Sequence, residues 1–265
     1  MFHNVGTIAA TTLTSLTQEA GRRLADLARR ASLARVPRPE GISGPSARLL
    51  LGEVGELSRR QRRPAVAAAV PAARNPQPVM LLPGFGAHPR RMRPMYHALE
   101  QAGHHVEEWG LGFNLGPTPE NFAFLLRRVD RLARAYGAPV ALVGWSLGGL
   151  FAREIACRQP HRVSRVITLG TPFSGDPRAN NAWRAYQFVT GHAVDQPPIE
   201  RDSSAKPPVP TIALWSPRDG VIHPRCAAGW PHERDRAVAL RCTHLGFASG
   251  AEAIGEVLRQ IDRDD

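Results

Sequence analysis

The chain has 265 residues, 43% of them hydrophobic, which is enough to bury a core and excludes disorder along the whole length. Three cysteines are too few for a disulfide-built fold, and without a run of 18 apolar residues we expect no membrane-spanning helix. The net charge is +11. This raises the question of an anionic partner, but no nucleic-acid-binding motif is recognised and we predict no such partner. The first residues do not resemble a secretory signal, so the expected location is the cytoplasm.

Residues 1–76, called the extension below, predict helices and no strand. One helix is expected over 17–35, because four apolar residues recur at helical spacing with arginines between them. They are Leu24, Leu27, Ala31 and Ala34. A second helix is expected over 45–60, with one apolar face made of Leu49, Leu50, Val54 and Leu57. A linker rich in Arg, Ala and Pro follows.

Most of the charge lies on the extension. It carries 12 arginines and 5 acidic residues, against 22 basic and 18 acidic residues in 77–265. Basic helices with an apolar stripe can lie on an anionic membrane surface. They can equally pack their stripe against the rest of the protein, and the sequence leaves both interpretations open.

Residues 77–265, called the catalytic unit below, alternate between short apolar runs and helical patterns. Strands are expected at 79–82, 105–109, 139–145, 163–169, 210–216 and 237–241. Helices are expected at 91–102, 119–136, 147–158, 183–189 and 249–261. This alternation predicts an α/β fold, with a mostly parallel sheet covered by helices on both faces.

The strongest motif is Gly144-Trp145-Ser146-Leu147-Gly148. An apolar strand precedes it and a helix follows, which is the strand–turn–helix context of a nucleophile elbow. A sharp turn there aims the serine hydroxyl outward and places a helix N-terminus beneath it. We therefore predict Ser146 as a catalytic nucleophile.

A serine nucleophile needs a base and a carboxylate that orients the base, and in this architecture they follow the serine in the order acid, then His. Asp219 comes just after the strand at 210–216, and His244 comes after the last strand, so these two are the predicted acid and base. The rivals that remain open are His223 as base and three acids of the preceding loop. These acids are Asp176, Asp195 and Asp202.

Two backbone N–H groups are expected to bind the developing oxyanion. One belongs to Leu147, directly after the nucleophile. The other is assigned to Phe85 in Pro83-Gly84-Phe85-Gly86, where the glycines let the backbone approach a substrate.

Five segments, LLPGFGAHP, GWSLGGLFAREIA, ITLGTPFSG, SPRDGVI and CTHLG, together resemble the α/β-hydrolase superfamily, and within it bacterial esterase/lipase-like members. The resemblance covers about 78–265. It implies an eight-stranded or shortened sheet, a Ser146–Asp219–His244 triad and no cofactor. Two departures stand out: no β-hairpin is evident before Val79, and Leu82-Pro83-Gly84 replaces the His-Gly of many relatives.

Insertions after the strand at 163–169 form lids in this superfamily, and here the region 172–209 is short. Trp183, Tyr186 and Val189 would give it an apolar face, with Phe188 close by. A moving lid and a fixed packed helix are equally compatible with the pattern. Either one supplies an apolar wall that favours an acyl chain.

Cys226 and Cys242 flank the predicted acid and base, and free thiols are favoured over a bond between them because the expected compartment is reducing. No spacing predicts a metal site. The sequence is compatible with three functions, each toward a small-molecule or lipid ligand. The first is hydrolysis of carboxylic esters, the second is acyl transfer or thioester cleavage by the same triad, and the third is non-catalytic binding at a membrane. The intact triad residues argue against the third function, but they do not separate the first two, because fold and triad do not determine the substrate. The sequence does not indicate an oligomeric state.

Overall fold

The computed structural model describes residues 5–60, 70–199 and 205–263, with side chains in the first range from 18 to 56. The strands are β1 Pro78–Leu82, β2 His105–Glu108, β3 Val140–Trp145, β4 Val163–Leu169, β5 Thr211–Trp215 and β6 Arg236–Ala239. The helices are α1 Val5–Arg35, α2 Ala47–Arg60, α3 Arg93–Ala102, α4 Pro119–Tyr136, α5 Leu147–Arg158, α6 Trp183–Thr190, α7 Pro224–Ala228 and α8 Ala251–Ile261.

The six strands form one parallel sheet in the order β2-β1-β3-β4-β5-β6. The chain adds β2 on one side of β1 and then returns to build β3 to β6 on the other side. The order therefore reverses between β1 and β3, and open parallel sheets bind ligands beyond the carboxyl ends of the strands at such a point. The segments carrying Ser146 and Phe85 leave the sheet there.

Both faces of the sheet are covered, as predicted. One face packs Val79, Leu81 and Val143 against α3 and α8, and the other packs Met80 and Leu142 against α4 and α5. Burial on both faces explains why β1 and β3 are continuous apolar runs and do not alternate with polar residues.

The predicted elements of the catalytic unit are confirmed, with ends shifted by one or two residues. Helix α4 begins at a capping box between Thr118 and Asn121, has Pro119 in its first turn and ends at Gly137 in the left-handed conformation. The first part of the helix expected at 91–102 is a 3-10 turn, Pro89–Met92, and the short helix α7 was not predicted. None of the described helices is long and apolar enough to cross a membrane.

Both helices of the extension are present, but α1 begins at Val5, well before the predicted start at 17. The interpretation that α1 packs its whole stripe on the protein is wrong. Leu24 is 68% exposed and Leu27 is 52% exposed. Helix α1 lies against α6 instead, where Arg29 and Arg30 donate hydrogen bonds to the carbonyls of Gly191 and Val189. Guanidinium groups suit that place, because the last carbonyls of a helix have no partner within it.

Helix α2 departs further from the predicted apolar face. Leu50 is 41% exposed and Val54 is 58% exposed, because that face points away from the catalytic unit. Leu49 is half-buried, while the side chain of Leu57 lies outside the described residues. Among the α2 side chains that the structure describes, the buried one is Glu53, which is 4% exposed. Residues 61–69 of the predicted linker also lie outside the described part of the chain, and a domain boundary at 76 stays a prediction.

Candidate active site

Ser146 sits in a strained turn between β3 and α5. Its φ of 53° and ψ of −120° make it the one non-glycine residue with positive φ among the residues the structure describes. The turn is sharp enough to bring two backbone segments together, since a Cβ placed on Gly148 would lie 2.2 Å from the carbonyl oxygen of Leu82. Glycine is therefore required at that position, and the serine is held in the conformation expected of an elbow.

The predicted acid and base form a buried pair. His244 Nδ1 lies 2.8 Å from Asp219 Oδ2, although the residues are 25 positions apart in the sequence. The other carboxylate oxygen, Oδ1, accepts hydrogen bonds from the N–H groups of Val221 and Ile222 at 2.8 and 2.7 Å. With its proton on Nδ1, the neutral imidazole presents Nε2 as the basic nitrogen.

The pair lies next to the elbow. The indole Nε1–H of Trp145 donates to the carbonyl of His244 at 3.1 Å, and the two rings have centroids 5.7 Å apart. The Ser146 N–H donates to the Leu169 carbonyl at the end of β4. The carboxyl ends of β3, β4 and β5 and the loop after β6 therefore meet around Ser146, Asp219 and His244.

The surroundings of His244 favour the protonated form of its imidazole. Burial alone would lower the pKa of His244, but the carboxylate of Asp219 and, more weakly, that of Glu53 raise it above its ordinary value. An imidazolium at His244 would therefore be stabilised by the neighbouring carboxylates.

The rival residues have other partners. His223 Nδ1 accepts from the Arg225 N–H and caps α7. Asp176 accepts from the Arg178 N–H, and Asp195 forms an ion pair with the Arg178 guanidinium at 2.6 Å. Asp202 lies outside the described residues.

The loop after β1 is pressed against the elbow. A Cβ on Gly84 would lie 3.2 Å from the Cβ of Ser146, so the loop approaches the serine closely. Buried Asn114 holds the loop in place: its side-chain Nδ2 donates to the Pro83 carbonyl, and its backbone carbonyl accepts the Gly86 N–H, both at 2.7 Å. The N–H of Leu147 opens α5, where helix N–H groups have no partner within the helix. The sequence did not single out Asn114, because a lone Asn in a loop carries no distinguishing signal.

A largely apolar cleft leads away from Ser146, with a volume of about 810 Å³ when the space open to solvent is included. It is lined by residues of the loop after β1, of α4, of α5 and of α6, among them Phe85, Phe122, Leu150, Trp183 and Tyr186. The rings of Phe85 and Tyr186 meet edge to face, with centroids 5.3 Å apart.

The predicted apolar face of α6 is therefore only partly correct. Trp183 and Tyr186 are buried, but Val189 is 40% exposed and Phe188 is also at the surface. The helix turns 100° per residue, so position 189 lies off the line of 183 and 186 toward solvent. Whether α6 moves as a lid stays a prediction.

One buried carboxylate reaches the site from the extension. Glu53 Oε1 accepts the N–H groups of Gly220 and His244 at 2.9 and 2.7 Å, and Oε2 accepts the N–H of Leu245 at 2.9 Å. Sequence reasoning missed this residue. Most other residues of the segment LLLGEVGEL are apolar, and a Glu in such a segment is normally interpreted as facing solvent.

The three cysteines are free thiols. Burial, with smaller effects from Asp176 and Glu233, raises the pKa of Cys226 to about 11, and burial raises the pKa of Cys242 as well. Both thiols are therefore protonated at neutral pH and unsuited to nucleophilic attack. Within the described ranges, no group of three His, Cys, Asp or Glu side chains is placed to hold a metal ion.

Comparison with protein-family models matches residues 77–196 to the alpha/beta hydrolase fold. Among solved structures, Aspergillus fumigatus lipase B aligns with a TM-score of 0.55 and 14% identity, over 75% of this chain and 55% of the lipase. A soluble variant of monoglyceride lipase from Saccharomyces cerevisiae aligns with a TM-score of 0.53 and 17% identity, over 75% of this chain and 88% of that one. Both establish the fold.

Curated relatives match in part. The biotin biosynthesis bifunctional protein BioHC of Teredinibacter turnerae is 30% identical over 43% of this chain and 20% of its own length. A pimeloyl-[acyl-carrier protein] methyl ester esterase of a Shewanella species is 30% identical over 40% of this chain and 39% of its own length. The chain thus spans less than half of the length of these relatives. The chain therefore has the α/β-hydrolase fold, and the proteins it resembles in sequence include carboxylic ester esterases.

Proposed function

We propose that this protein is a serine hydrolase of carboxylic esters that works through an acyl-enzyme. The observation that carries the proposal is the strained Ser146 beside the buried His244–Asp219 pair, at the mouth of an apolar cleft. The esterase named among its relatives supports the same class of reaction.

In acylation, Ser146 Oγ attacks the ester carbonyl carbon while His244 Nε2 takes the hydroxyl proton. Asp219 keeps the imidazole in the required tautomer and stabilises the imidazolium that forms. The N–H groups of Phe85 and Leu147 bind the oxyanion of the tetrahedral intermediate. When the intermediate collapses, His244 returns the proton to the leaving alkoxide, and the alcohol departs.

Deacylation repeats these steps with water. His244 takes a proton from water as its oxygen attacks the acyl carbon, and the same two N–H groups bind the second oxyanion. Collapse releases the carboxylic acid and restores the Ser146 hydroxyl. Replacing water by another alcohol or a thiol would give acyl transfer, which the same residues allow.

The cleft suggests an ester with an apolar acyl chain. Most of its lining is aromatic or aliphatic, and the ring of Phe85 contacts that of Tyr186 on α6. An apolar chain is stabilised there by the release of water from both surfaces, at about 25 cal/mol per Å² buried.

The test is turnover of p-nitrophenyl esters of increasing acyl length by wild type and by Ser146→Ala. We expect a chain-length optimum in wild type and a loss of turnover of at least about 10⁴-fold in the variant. Ser174→Ala is a matched control at a buried serine that is not assigned a role. Equal turnover in Ser146→Ala and wild type, or no turnover of any ester or thioester by wild type, would contradict the proposal.

The extension is a second candidate for function, as a peripheral contact to anionic membranes. Leu24 and Leu27 on α1 and Leu51 on α2 are exposed, with arginines along the same helices. Exposed leucines beside guanidinium groups are the pattern of helices that lie in a lipid interface. A membrane contact would bring lipid esters to the enzyme.

A further inference from the structure

We propose that Glu53 of the extension is a positioning residue of the catalytic site, which holds the acid loop and the base loop in register with each other. This inference rests on the proposed function, since it assigns Glu53 to the machinery of the same hydrolase.

The first support is the bonding of the carboxylate. Its three acceptor contacts, all at 2.7 to 2.9 Å, go to the N–H of the residue after Asp219, to the N–H of His244 itself and to the N–H of the next residue. One side chain thus joins two loops that are more than twenty residues apart in sequence. Carboxylate oxygens make strong, charge-assisted bonds to backbone N–H groups, and three of them restrict both loops at once.

The second support is the close approach of α2 to the acid loop. A Cβ on Gly220 would lie 2.4 Å from the carbonyl oxygen of Leu49, so the backbone of α2 lies directly on this residue. Asn181 adds a further tie, because its Nδ2 donates to the carbonyls of both Pro45 and Gly220 at 3.0 and 2.9 Å. The helix that carries Glu53 is therefore fixed relative to the acid.

The third support is that the contact between His244 and Asp219 needs its two loops to be held in a fixed relative position. The bond of 2.8 Å between His244 and Asp219 depends on the relative position of two separate loops. Ser216 Oγ also bridges them, by donating to the Cys242 carbonyl at 2.6 Å. Glu53 acts on His244 itself and on Gly220, the residue after Asp219. A displacement of about 1 Å in such a pair can cost about a hundredfold in rate.

The charge of Glu53 gives the inference a distinct signature. The charged side chains that face His244 are Asp219, from the loop after β5, and Glu53, from α2; Trp145 and Phe247 supply apolar ring contacts. Both carboxylates raise the pKa of His244 against the opposing effect of burial. Removing the charge of Glu53 should therefore lower that pKa, which a residue that only supports folding would not do.

The experiment compares Glu53→Gln with wild type in the full-length chain. Glutamine keeps the shape and one acceptor oxygen but turns an NH₂ group toward a backbone N–H. With active sites titrated by a fluorophosphonate, we expect kcat to fall by between about tenfold and a hundredfold with little change in KM, because Glu53 does not line the cleft. We also expect the acid limb of kcat/KM to move to lower pH. Glu40→Gln, at an exposed glutamate of the same extension, is the matched control.

A readout that needs no substrate separates this inference from the proposed function. The downfield proton resonance of His244 Nδ1–H should titrate at lower pH in Glu53→Gln than in wild type. Unchanged kcat and titration in folded Glu53→Gln would overturn the role of Glu53 while leaving the hydrolase intact. Wild type that turns over no ester would overturn the hydrolase, while the resonance would still report on Glu53.

Discussion

The catalytic unit and the extension both contribute residues to one site, but they differ in which kind of side chain they bury. In the catalytic unit, apolar strands are buried on both sides, so the pattern of hydrophobic residues predicts the layers and the topology places the polar residues at one edge. In the extension the opposite holds, because leucines are exposed and a glutamate is buried. Hydrophobic pattern identifies a helix in both regions, but it tells which face is buried only where the helix covers a core.

The largest loss of activity is expected from a change at Asp219, the proposed acid of the catalytic unit. Asp219→Asn keeps the shape of the side chain but removes the charge that orients and stabilises His244, and it favours the wrong tautomer. We expect kcat to fall by about 10⁴-fold. The loss should exceed that of Glu53→Gln in the same ester assay, and equal losses would contradict the division between a catalytic partner and a positioning residue.

The pH dependence of kcat/KM distinguishes Asp219 from Glu53 by how strongly each carboxylate raises the pKa of His244. Activity requires neutral His244, whose pKa is raised above 6.5, so the acid limb of kcat/KM should have its midpoint above that pH. Asp219 raises this pKa more than Glu53 does. We therefore expect Glu53→Gln to move the midpoint downward without bringing it below that of Asp219→Asn. A wild-type midpoint at or below pH 6.5 would argue against the described pair.

The smallest expected effect concerns the surface of the extension. Replacing Leu24 and Leu27 together by Gln removes exposed apolar groups that could enter a lipid interface. We expect co-sedimentation with anionic vesicles to weaken by about tenfold, with turnover of a soluble short-chain ester unchanged.

Leu115→Gln is the matched control, because Leu115 is also exposed but belongs to the catalytic unit. If the Leu24 and Leu27 replacement and Leu115→Gln weaken vesicle binding equally, or if neither weakens it, the proposed membrane contact of the extension is contradicted.

Much of the site could be predicted from sequence because parallel strands bring their carboxyl ends together. Ser146, Asp219 and His244 each follow a strand, and knowing their order in the chain was enough to place them near one another. Asn114 and Glu53 escaped prediction, because both act on backbone N–H and carbonyl groups, which every residue has. Val189 was misplaced for a simpler reason, since a spacing of three drifts around a helix with 3.6 residues per turn.

Labelling of the full-length protein by a fluorophosphonate, followed by mass mapping of the adduct, tests the identity of the nucleophile most directly. A single adduct on the peptide that carries Ser146, absent from Ser146→Ala and formed more slowly in Asp219→Asn, is the predicted result. An adduct on another residue, or labelling of Ser146→Ala at the wild-type rate, would contradict the assignment of Ser146 as the activated serine.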